Sequence, residues 1–241
     1  MKKYLILILL ICVLALYATA NAGMNCGILG SGSGEAAGCS TPTTGDELNE
    51  GFTGTGYENS WTESGSGTID EDFTLSGTPP SGSCTEGLNI VSSESSDISY
   101  WDNGSTIAFT NDIDYVCEIY IDSKTLTNYT YSRIIAWSNV TTNVINSVQI
   151  VNVDGYTLRG AGSGNSTGVT FSDDTWLTVT MHLDATPASS YFQCSGCDDE
   201  TQKTFTRTDT VSRYLVLGPD SLGAGESVDI EYGYCYVNIP D

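Results

Sequence analysis

The stretch that decides the fold is Trp-Leu-Thr-Val-Thr-Met-His-Leu, residues 176–183, in which every second side chain is aliphatic. Successive side chains of a β-strand point to opposite faces of its sheet. One face of this segment therefore carries Leu177, Val179, Met181 and Leu183. The other face carries Trp176, Thr178, Thr180 and His182. Such an alternation predicts a strand, at 176–184, with one face in a hydrophobic core.

Short runs of the same kind recur on both sides of this strand, with turn residues between them. Further strands are predicted at 68–75, 88–92, 106–110, 115–122, 133–137, 147–153, 156–159, 169–171, 204–207, 214–217 and 227–237. Asp154-Gly155, between two of the runs, predicts a hairpin turn. No long segment shows the period of an amphipathic helix. The chain is therefore predicted to be all-β, a jelly-roll sandwich of two antiparallel sheets.

The charge balance excludes two classes of partner. The 241 residues include 30 Asp and Glu against 8 Lys and Arg, which gives a net charge of −22 at pH 7. A field this negative repels phosphate backbones and anionic lipid head groups. Nucleic acid and attachment to a membrane surface through basic residues are therefore not expected.

The first residues have the organisation of a secretory signal peptide. Lys2 and Lys3 precede an unbroken apolar run at 4–18, and Ala20-Asn21-Ala22 offers a cleavage site. The run is shorter than the roughly 20 residues of a membrane span. We expect residues 1–22 to be removed, 23–48 to form a flexible linker and 49–241 to form one sandwich domain. The protein is thus expected to be secreted or held at the cell surface, without membrane insertion after cleavage.

Disulfides are the expected state of the cysteines in an exported chain. Cys194-Ser195-Gly196-Cys197 places two cysteines on either side of a tight turn, where a disulfide can join them. A redox motif would need a helix N-terminus and a zinc site would need a second cysteine pair, and the sequence shows neither. Seven of the eight cysteines lie beyond residue 22. One thiol is therefore expected to stay free or to pair between chains.

Three parts of the sequence resemble concanavalin A-like lectin and glucanase domains of the laminin G-like type. They are the opening Glu50-Gly-Phe-Thr-Gly-Thr-Gly-Tyr-Glu58, the long strand that Trp176 begins, and the segments at 214–218 and 227–232. The resemblance extends over roughly residues 50–239. It implies a jelly-roll sandwich that binds extracellular glycan or another surface polymer.

The glucanase branch of that superfamily carries Glu-x-Asp-x-x-Glu on one strand, and this sequence lacks the pattern. Two strands carry paired carboxylates that we interpret as solvated faces: Glu118 with Asp122, and Asp229 with Glu231. His182 shares a strand face with Asp184, but no Gly-x-Ser-x-Gly turn supplies a nucleophile. We therefore expect no catalytic residues and no enzyme activity. Hydrolysis of a carbohydrate by a non-standard carboxylate pair is the third-ranked hypothesis.

Calcium is the metal that the acidic loops favour, because it takes hard oxygen ligands. Asp112 and Asp114, in Asn111-Asp112-Ile113-Asp114, are the candidate ligands, and acidic segments at 173–174 and 198–200 are further candidates. The resemblance makes calcium admissible, since related lectin-type domains often hold it near loops. No segment has the spacing of an EF-hand.

Exposed aromatic side chains are the expected sugar platform, since a pyranose ring stacks on Trp or Tyr. Trp61, Tyr100 and Trp101, which polar turn residues flank, are the candidate ligand-binding residues. Alternating tyrosines of the last strand are expected to form a packed ladder on one face: Tyr232, Tyr234 and Tyr236. The expected function is a secreted, non-enzymatic module that binds glycan or a surface polymer. The alternative is a structural or adhesive protein that self-associates.

Overall fold

A computed structural model of the chain describes residues 48–50, 52, 61–65, 67–82, 84–93, 98–101, 112–138, 144–208 and 214–238. The expected signal peptide at 1–22 and the expected linker up to residue 47 lie outside these ranges, and so do Cys26 and Cys39. Most of the opening motif at 50–58 also lies outside them. None of the described residues belongs to a helix with the length and apolarity that a membrane crossing requires.

Sheet A contains eight of the described strands. They are β1 (Leu48–Glu50), β3 (Thr68–Thr74), β4 (Glu86–Ser92), β6 (Ile113–Thr125), β11 (Trp176–Leu183), β12 (Tyr191–Ser195), β13 (Lys203–Thr204) and β15 (Ser227–Asn238). Their order is β13-β12-β11-β6-β15-β4-β3, and β1 also pairs with β15. β11 has the bounds of the stretch that decides the fold, and all four of its aliphatic side chains are fully buried.

Sheet B contains seven described strands in the order β10-β9-β8-β7-β14-β5-β2. They are β2 (Trp61–Ser64), β5 (Ile98–Trp101), β7 (Tyr131–Ser138), β8 (Val144–Asn152), β9 (Tyr156–Ala161), β10 (Val169–Thr170) and β14 (Tyr214–Asp220). Asp154 and Gly155, both with positive φ, lie in the turn between β8 and β9. A short 3-10 helix at Pro187–Ser189 joins β11 to β12.

The two sheets pack their apolar faces against each other around one hydrophobic core. The rings of Trp137 on β7 and Tyr115 on β6 meet there, with centroids 4.9 Å apart. The Tyr232 hydroxyl donates to the Ile134 carbonyl at 2.6 Å and accepts from the Gly218 N–H at 3.1 Å, which links β15 to two strands of sheet B. The prediction of an all-β sandwich of two antiparallel sheets is confirmed.

A β-bulge in β15 changes which tyrosines face the core. The pairing of β15 with β6 shifts register between Tyr232 and Cys235. Tyr232 and Cys235 both lie in the core, while Tyr234 and Tyr236 stack outside it with ring centroids 5.8 Å apart. The prediction that three tyrosines share one face is therefore wrong, because a bulge adds a residue and breaks the alternation of the strand.

The disulfides expected of an exported chain are present, and every cysteine among the described residues is bonded. Cys117 on β6 is joined to Cys235 on β15, with their Cα atoms 4.2 Å apart. Cys194 is joined to Cys197 across a Cα distance of 5.6 Å. Gly196, between them, has a φ of 91°, a conformation that a residue without Cβ adopts at little cost. Cys84 belongs to a further disulfide.

The buried Glu226 carboxylate joins the loop before β15 to the turn between β6 and β7. Its Oε1 accepts from the Thr127 N–H at 2.9 Å, from the Thr127 hydroxyl, and from the Thr130 hydroxyl at 2.7 Å. Its Oε2 accepts from the Gly223 N–H at 2.6 Å. Burial raises the pKa of this carboxyl, but the hydrogen bonds outweigh burial and hold the pKa at about 2.

Replacing Glu226 with Gln is expected to lower the free energy of unfolding by about 2–3 kcal/mol at neutral pH, because the charge that strengthens these bonds is lost. A carboxyl whose pKa falls on folding stabilises the fold above its unfolded pKa. That stabilisation is lost as the pH falls toward the folded pKa. Urea unfolding at neutral pH and at about pH 3 gives the free energy of unfolding that each protein loses on acidification. This loss should be larger for the wild type and the exposed control Glu63→Gln than for Glu226→Gln. Equal losses in all three would contradict this role.

Candidate functional site

The outer face of sheet A, which points away from the core, divides into a covered half and an open half. The described residues 75–82, 84 and 85, between β3 and β4, lie over the first half, and we call them the cover segment. There Leu75, Cys84 and Tyr234 form a second, small hydrophobic cluster. The ring Nε1 of Trp176 donates to the Ser76 carbonyl at 2.8 Å and attaches the cover segment to the start of β11.

Glu118 and Glu231 lie beneath the cover segment and are almost fully buried. The Ser81 hydroxyl donates to Glu118 at 2.7 Å, and the N–H and hydroxyl of Ser76 donate to Glu231 at 2.7 and 2.6 Å. Burial raises the pKa of both carboxyls, and these hydrogen bonds oppose it. The interpretation of Glu118 and Glu231 as part of solvated strand faces is therefore wrong, because the cover segment separates them from water.

His182 lies on the open half of this face, near the end of β11. Its register partner on β6 is Asp114, and the two side chains meet with 2.6 Å between Nδ1 and Asp114 Oδ1. An ionised carboxylate only accepts hydrogen bonds, so Nδ1 carries the proton. In the neutral ring Nε2 is then the unprotonated nitrogen, and it lies 3.8 Å from Asp184 Oδ2. The pair holds one basic nitrogen in a fixed orientation.

Two phenols flank the pair of His182 and Asp114. The Tyr191 ring stacks on the imidazole with centroids 4.5 Å apart and an interplanar angle of 15°. Tyr236 lies on β15, on the other side of β6. Burial raises the pKa of both phenols, and the nearby Asp114 carboxylate raises it further. All four side chains are partly exposed, and we call them together the His182 patch.

The surroundings of His182 favour its protonated form. The hydrogen bond to Asp114 raises the pKa of the imidazole, and burial lowers it. The carboxylate charges of Asp114, Asp112 and Asp184 raise it further, so that the net change is upward from 6.5. Below this raised pKa the ring is a proton donor, and above it Nε2 is a base.

Asp112, His182 and Asp184 each bring one potential ligand atom to within 4.8 Å of the others. Backbone N–H groups of the loop that follows β11 hold one oxygen of Asp112 and one of Asp184. Calcium binding by Asp112 and Asp114 stays a prediction, although the hydrogen bond to His182 engages one oxygen of Asp114. A metal ion bound to Nε2 would prevent His182 from acting as a base.

The aromatic residues that were expected to bind sugar belong to sheet B. Trp61 on β2 and Trp101 on β5 are register partners, and Tyr100 precedes Trp101 on the same strand. Trp61 is partly buried and packs against the core, with its ring 5.7 Å from that of Phe52. Sugar binding by Trp61, Tyr100 and Trp101 stays a prediction. Part of the Trp61 ring packs against the core and is not available to a sugar.

The sequence predicts that His182 and Asp184 share a strand face and that Asp114 is a calcium ligand, but it does not reveal that Asp114 and Tyr191 contact His182. Asp114 and His182 are 68 residues apart, and only the register of β6 against β11 brings them together. Tyr191 reaches His182 in the same way, through the pairing of β11 with β12. The alternation around Asp114 could have placed it on a polar face, but its partner could not be read from that pattern.

No known protein-family profile matches the sequence, and no curated protein sequence matches it. Among solved structures, the family 7 alginate lyase AlyA1 from Zobellia galactanivorans is similar at 11% identity and a TM-score of 0.49, over 76% of this chain and 96% of that one. The family 7 alginate lyase AlgAT5 is similar at 8% and 0.48, over 64% and 78%. The binding domain of botulinum neurotoxin DC, in complex with SialylT, is similar at 13% and 0.46, over 75% and 43%. These likenesses concern the fold alone.

The expectation that this chain is not an enzyme needs correction. It depended on the missing Glu-x-Asp-x-x-Glu pattern and the missing Gly-x-Ser-x-Gly turn, each of which is the mark of one chemistry only. Several solved structures with a similar fold are polysaccharide lyases. Because the missing patterns belong to two particular chemistries, their absence does not exclude catalysis by another arrangement of residues.

Proposed function

We propose that this protein binds an extracellular polysaccharide at the His182 patch and cleaves it by acid–base catalysis. The observation that carries the proposal is the 2.6 Å contact between His182 Nδ1 and Asp114 Oδ1, on a partly exposed face between two phenols. A carboxylate that fixes the tautomer and orientation of an imidazole is a recurrent arrangement in catalytic bases. Here the pair lies on a strand surface that an extended polymer can approach.

His182 acts as the base through Nε2. Because Asp114 holds the proton of Nδ1, Nε2 is the atom that takes a proton from the attacking water. Asp114 then stabilises the imidazolium that forms. Only the neutral ring can act in this way, so cleavage should increase as the pH rises through a pKa above 6.5.

Tyr191 and Tyr236 are the candidate acids and the candidate sugar platform. Both phenols keep their protons at neutral pH, so that either can donate to the departing glycosidic oxygen. Their rings also offer apolar faces on which a pyranose can stack. The stacking of Tyr234 on Tyr236, with centroids 5.8 Å apart, extends the aromatic surface along β15.

The charge of the patch favours a neutral glycan. Within the part of the chain that the structure describes, the ion pairs of Asp114 and Asp184 are with His182 alone. A polymer of uronic acids would bring like charges together here, whereas a neutral glycan avoids this repulsion. A neutral glycan also lacks the carboxylate that activates a neighbouring C–H bond for elimination. Hydrolysis is therefore the reaction that we propose.

We also propose that the chain is exported and that its sandwich, at 49–241, is of the laminin G-like type. The leader at 1–22 supplies the expected signal. The bonded state of every described cysteine fits an oxidising compartment. The flexible linker at 23–48, and self-association through an unpaired thiol, stay predictions from the sequence.

Incubation of the oxidised protein with a panel of neutral and anionic polysaccharides, followed by an assay for new reducing ends, tests this function. We expect cleavage of a neutral polymer at mildly alkaline pH, with saturated sugar at both new ends. Unsaturated ends, detected by their ultraviolet absorbance, would show that the reaction is elimination and not hydrolysis. Binding without cleavage across the whole panel would contradict the proposal.

Added Zn²⁺ is expected to inhibit cleavage, because Asp112, His182 and Asp184 can bind it. Since Asp114 engages Nδ1, the metal is expected on Nε2, where it blocks the base. A chelator should leave the rate of the untreated protein unchanged and should reverse the inhibition. Rates measured with EDTA, and then with Zn²⁺ or Ca²⁺ in excess, show whether a metal ion at this cluster inhibits cleavage or is needed for it. Loss of activity with EDTA and recovery with a metal would identify a metal centre in place of a simple base.

A further inference from the structure

Sheet B carries a polar pocket on its outer face, and the pocket therefore lies on the opposite sheet from the His182 patch. Its volume is about 230 Å³, and three neighbouring strands and the loop after β9 line it. The residues that matter here are Tyr131, Arg133, Gln149, Arg159 and Asn165. Pockets for drug-sized ligands have roughly 300–1,000 Å³, so this smaller space suits a single sugar unit.

Two of the few cations of this chain meet in the pocket. The sequence has only 8 Lys and Arg in 241 residues, yet Arg133 and Arg159 both line it. The strand register places Arg133, Gln149 and Arg159 side by side on β7, β8 and β9. Packing does not require two like charges on one sheet face, and their repulsion opposes folding. A ligand with negative charge would remove that repulsion.

Arg159 pairs with no carboxylate among the residues that the structure describes. Its Nε and Nη2 donate to Gln149 Oε1 at 3.1 and 2.9 Å, and this acceptor is uncharged. Burial lowers the pKa of the guanidinium, but arginine remains charged in proteins. A half-buried cation whose protein partner is neutral is stabilised when an anion binds beside it.

Arg133 is positioned at the same pocket by two protein contacts. Its Nη1 donates to Asp220 at 3.2 Å, and its Nη2 donates to the Tyr131 hydroxyl at 3.3 Å. The guanidinium also lies over the Tyr131 ring, 5.5 Å from the centroid. These contacts orient the planar guanidinium of Arg133 beside Arg159, whose positive charge is less fully balanced by its protein partners. The Tyr131 hydroxyl and the Asn165 amide add neutral hydrogen-bonding groups.

We infer that this pocket binds an anionic sugar. The carboxylate or sulfate of the sugar lies against Arg159, and its hydroxyls meet Tyr131 and Asn165. Guanidinium groups match such anions in geometry as well as in charge. The ligand class differs from the neutral polymer proposed for the His182 patch, so that one molecule can attach to a charged glycan while it acts on a neutral one.

NMR titration of the oxidised, ¹⁵N-labelled protein with glucuronate, glucose 6-sulfate and glucose tests this inference. We expect saturable amide shifts in β8 and β9 with at least one of the charged sugars and none with glucose. The charged sugar that binds shows whether the site takes a carboxylate or a sulfate. Arg159→Gln should weaken binding about tenfold or more. Lys203→Gln, which removes a positive charge outside the pocket, should leave the affinity unchanged.

Gln149→Glu gives a second test that keeps both arginines. The new carboxylate becomes a partner for Arg159 and should abolish binding without lowering the unfolding midpoint. Three outcomes would overturn the inference. They are equal shifts with glucose and the charged sugars, no saturable shift with any of them, and an equal loss of affinity in Arg159→Gln and Lys203→Gln. Cleavage at the His182 patch does not depend on these residues, so it should continue in every one of the variants.

Discussion

Replacing His182 with Gln is expected to reduce kcat on the cleaved polysaccharide by about 10²–10⁴-fold, which is the usual contribution of a general base. The Gln side chain can still donate to Asp114, but its amide offers no atom that takes a proton near neutral pH. KM should change little, because Tyr191 and Tyr236 still provide the surface on which the sugar stacks. Steady-state kinetics with the oxidised protein measure both constants.

Two companion variants show whether the lost activity belongs to the base. Asp114→Asn removes the charge that raises the pKa of His182, so its rate profile should shift to lower pH. Thr178→Ser, on the same strand but outside the patch, should retain wild-type kinetics. A His182→Gln protein that is folded and has an unchanged kcat would exclude His182 as the base.

Replacing both Cys117 and Cys235 with Ala is expected to lower the free energy of unfolding by about 4–5 kcal/mol. The bond joins residues separated by 118 positions, and a disulfide restricts the unfolded chain more strongly when it closes a longer loop. Both cysteines are buried in the core, so that the two Ala residues also leave a small cavity. Urea unfolding of the two proteins under oxidising conditions gives the difference.

Replacing both Cys194 and Cys197 with Ala gives the matched control, since this variant also lacks one disulfide between buried cysteines. That bond spans a separation of only 3 residues, for which the same chain-entropy relation gives roughly 1.6 kcal/mol. The long-range variant should therefore be the less stable of the two. Equal losses, or a greater loss in the control, would contradict the explanation by loop length.

The features that were predictable from sequence are those that neighbouring residues determine. β11 begins at Trp176 as expected and has its expected faces, because the burial of one side follows from its own alternating side chains. The bridge of Cys194 to Cys197 forms within a single turn, and the turn at Asp154-Gly155 is equally local. In each case, the physical cause lies within a few positions of its effect.

The site depended on features that no local pattern encodes. His182 meets Asp114 through one register of β6 against β11, and a shift of two residues would preserve the faces while it separated the pair. Glu118 and Glu231 each lie between apolar residues of their strand, as carboxylates on an exposed face do. The cover segment, which is distant in sequence, buries them. The bulge in β15 likewise redistributes its tyrosines without a sequence signal that alternation can reveal.

The most direct test of His182 as an oriented base is an NMR titration of its ring nitrogens. It is the single histidine in the sequence, so the signals of the untagged protein need no assignment. We expect Nδ1 to keep its proton throughout, while Nε2 loses its proton with a pKa above 6.5 that falls in Asp114→Asn. A neutral ring that is protonated on Nε2, or a pKa at or below 6.5, would contradict the proposed orientation and role of His182.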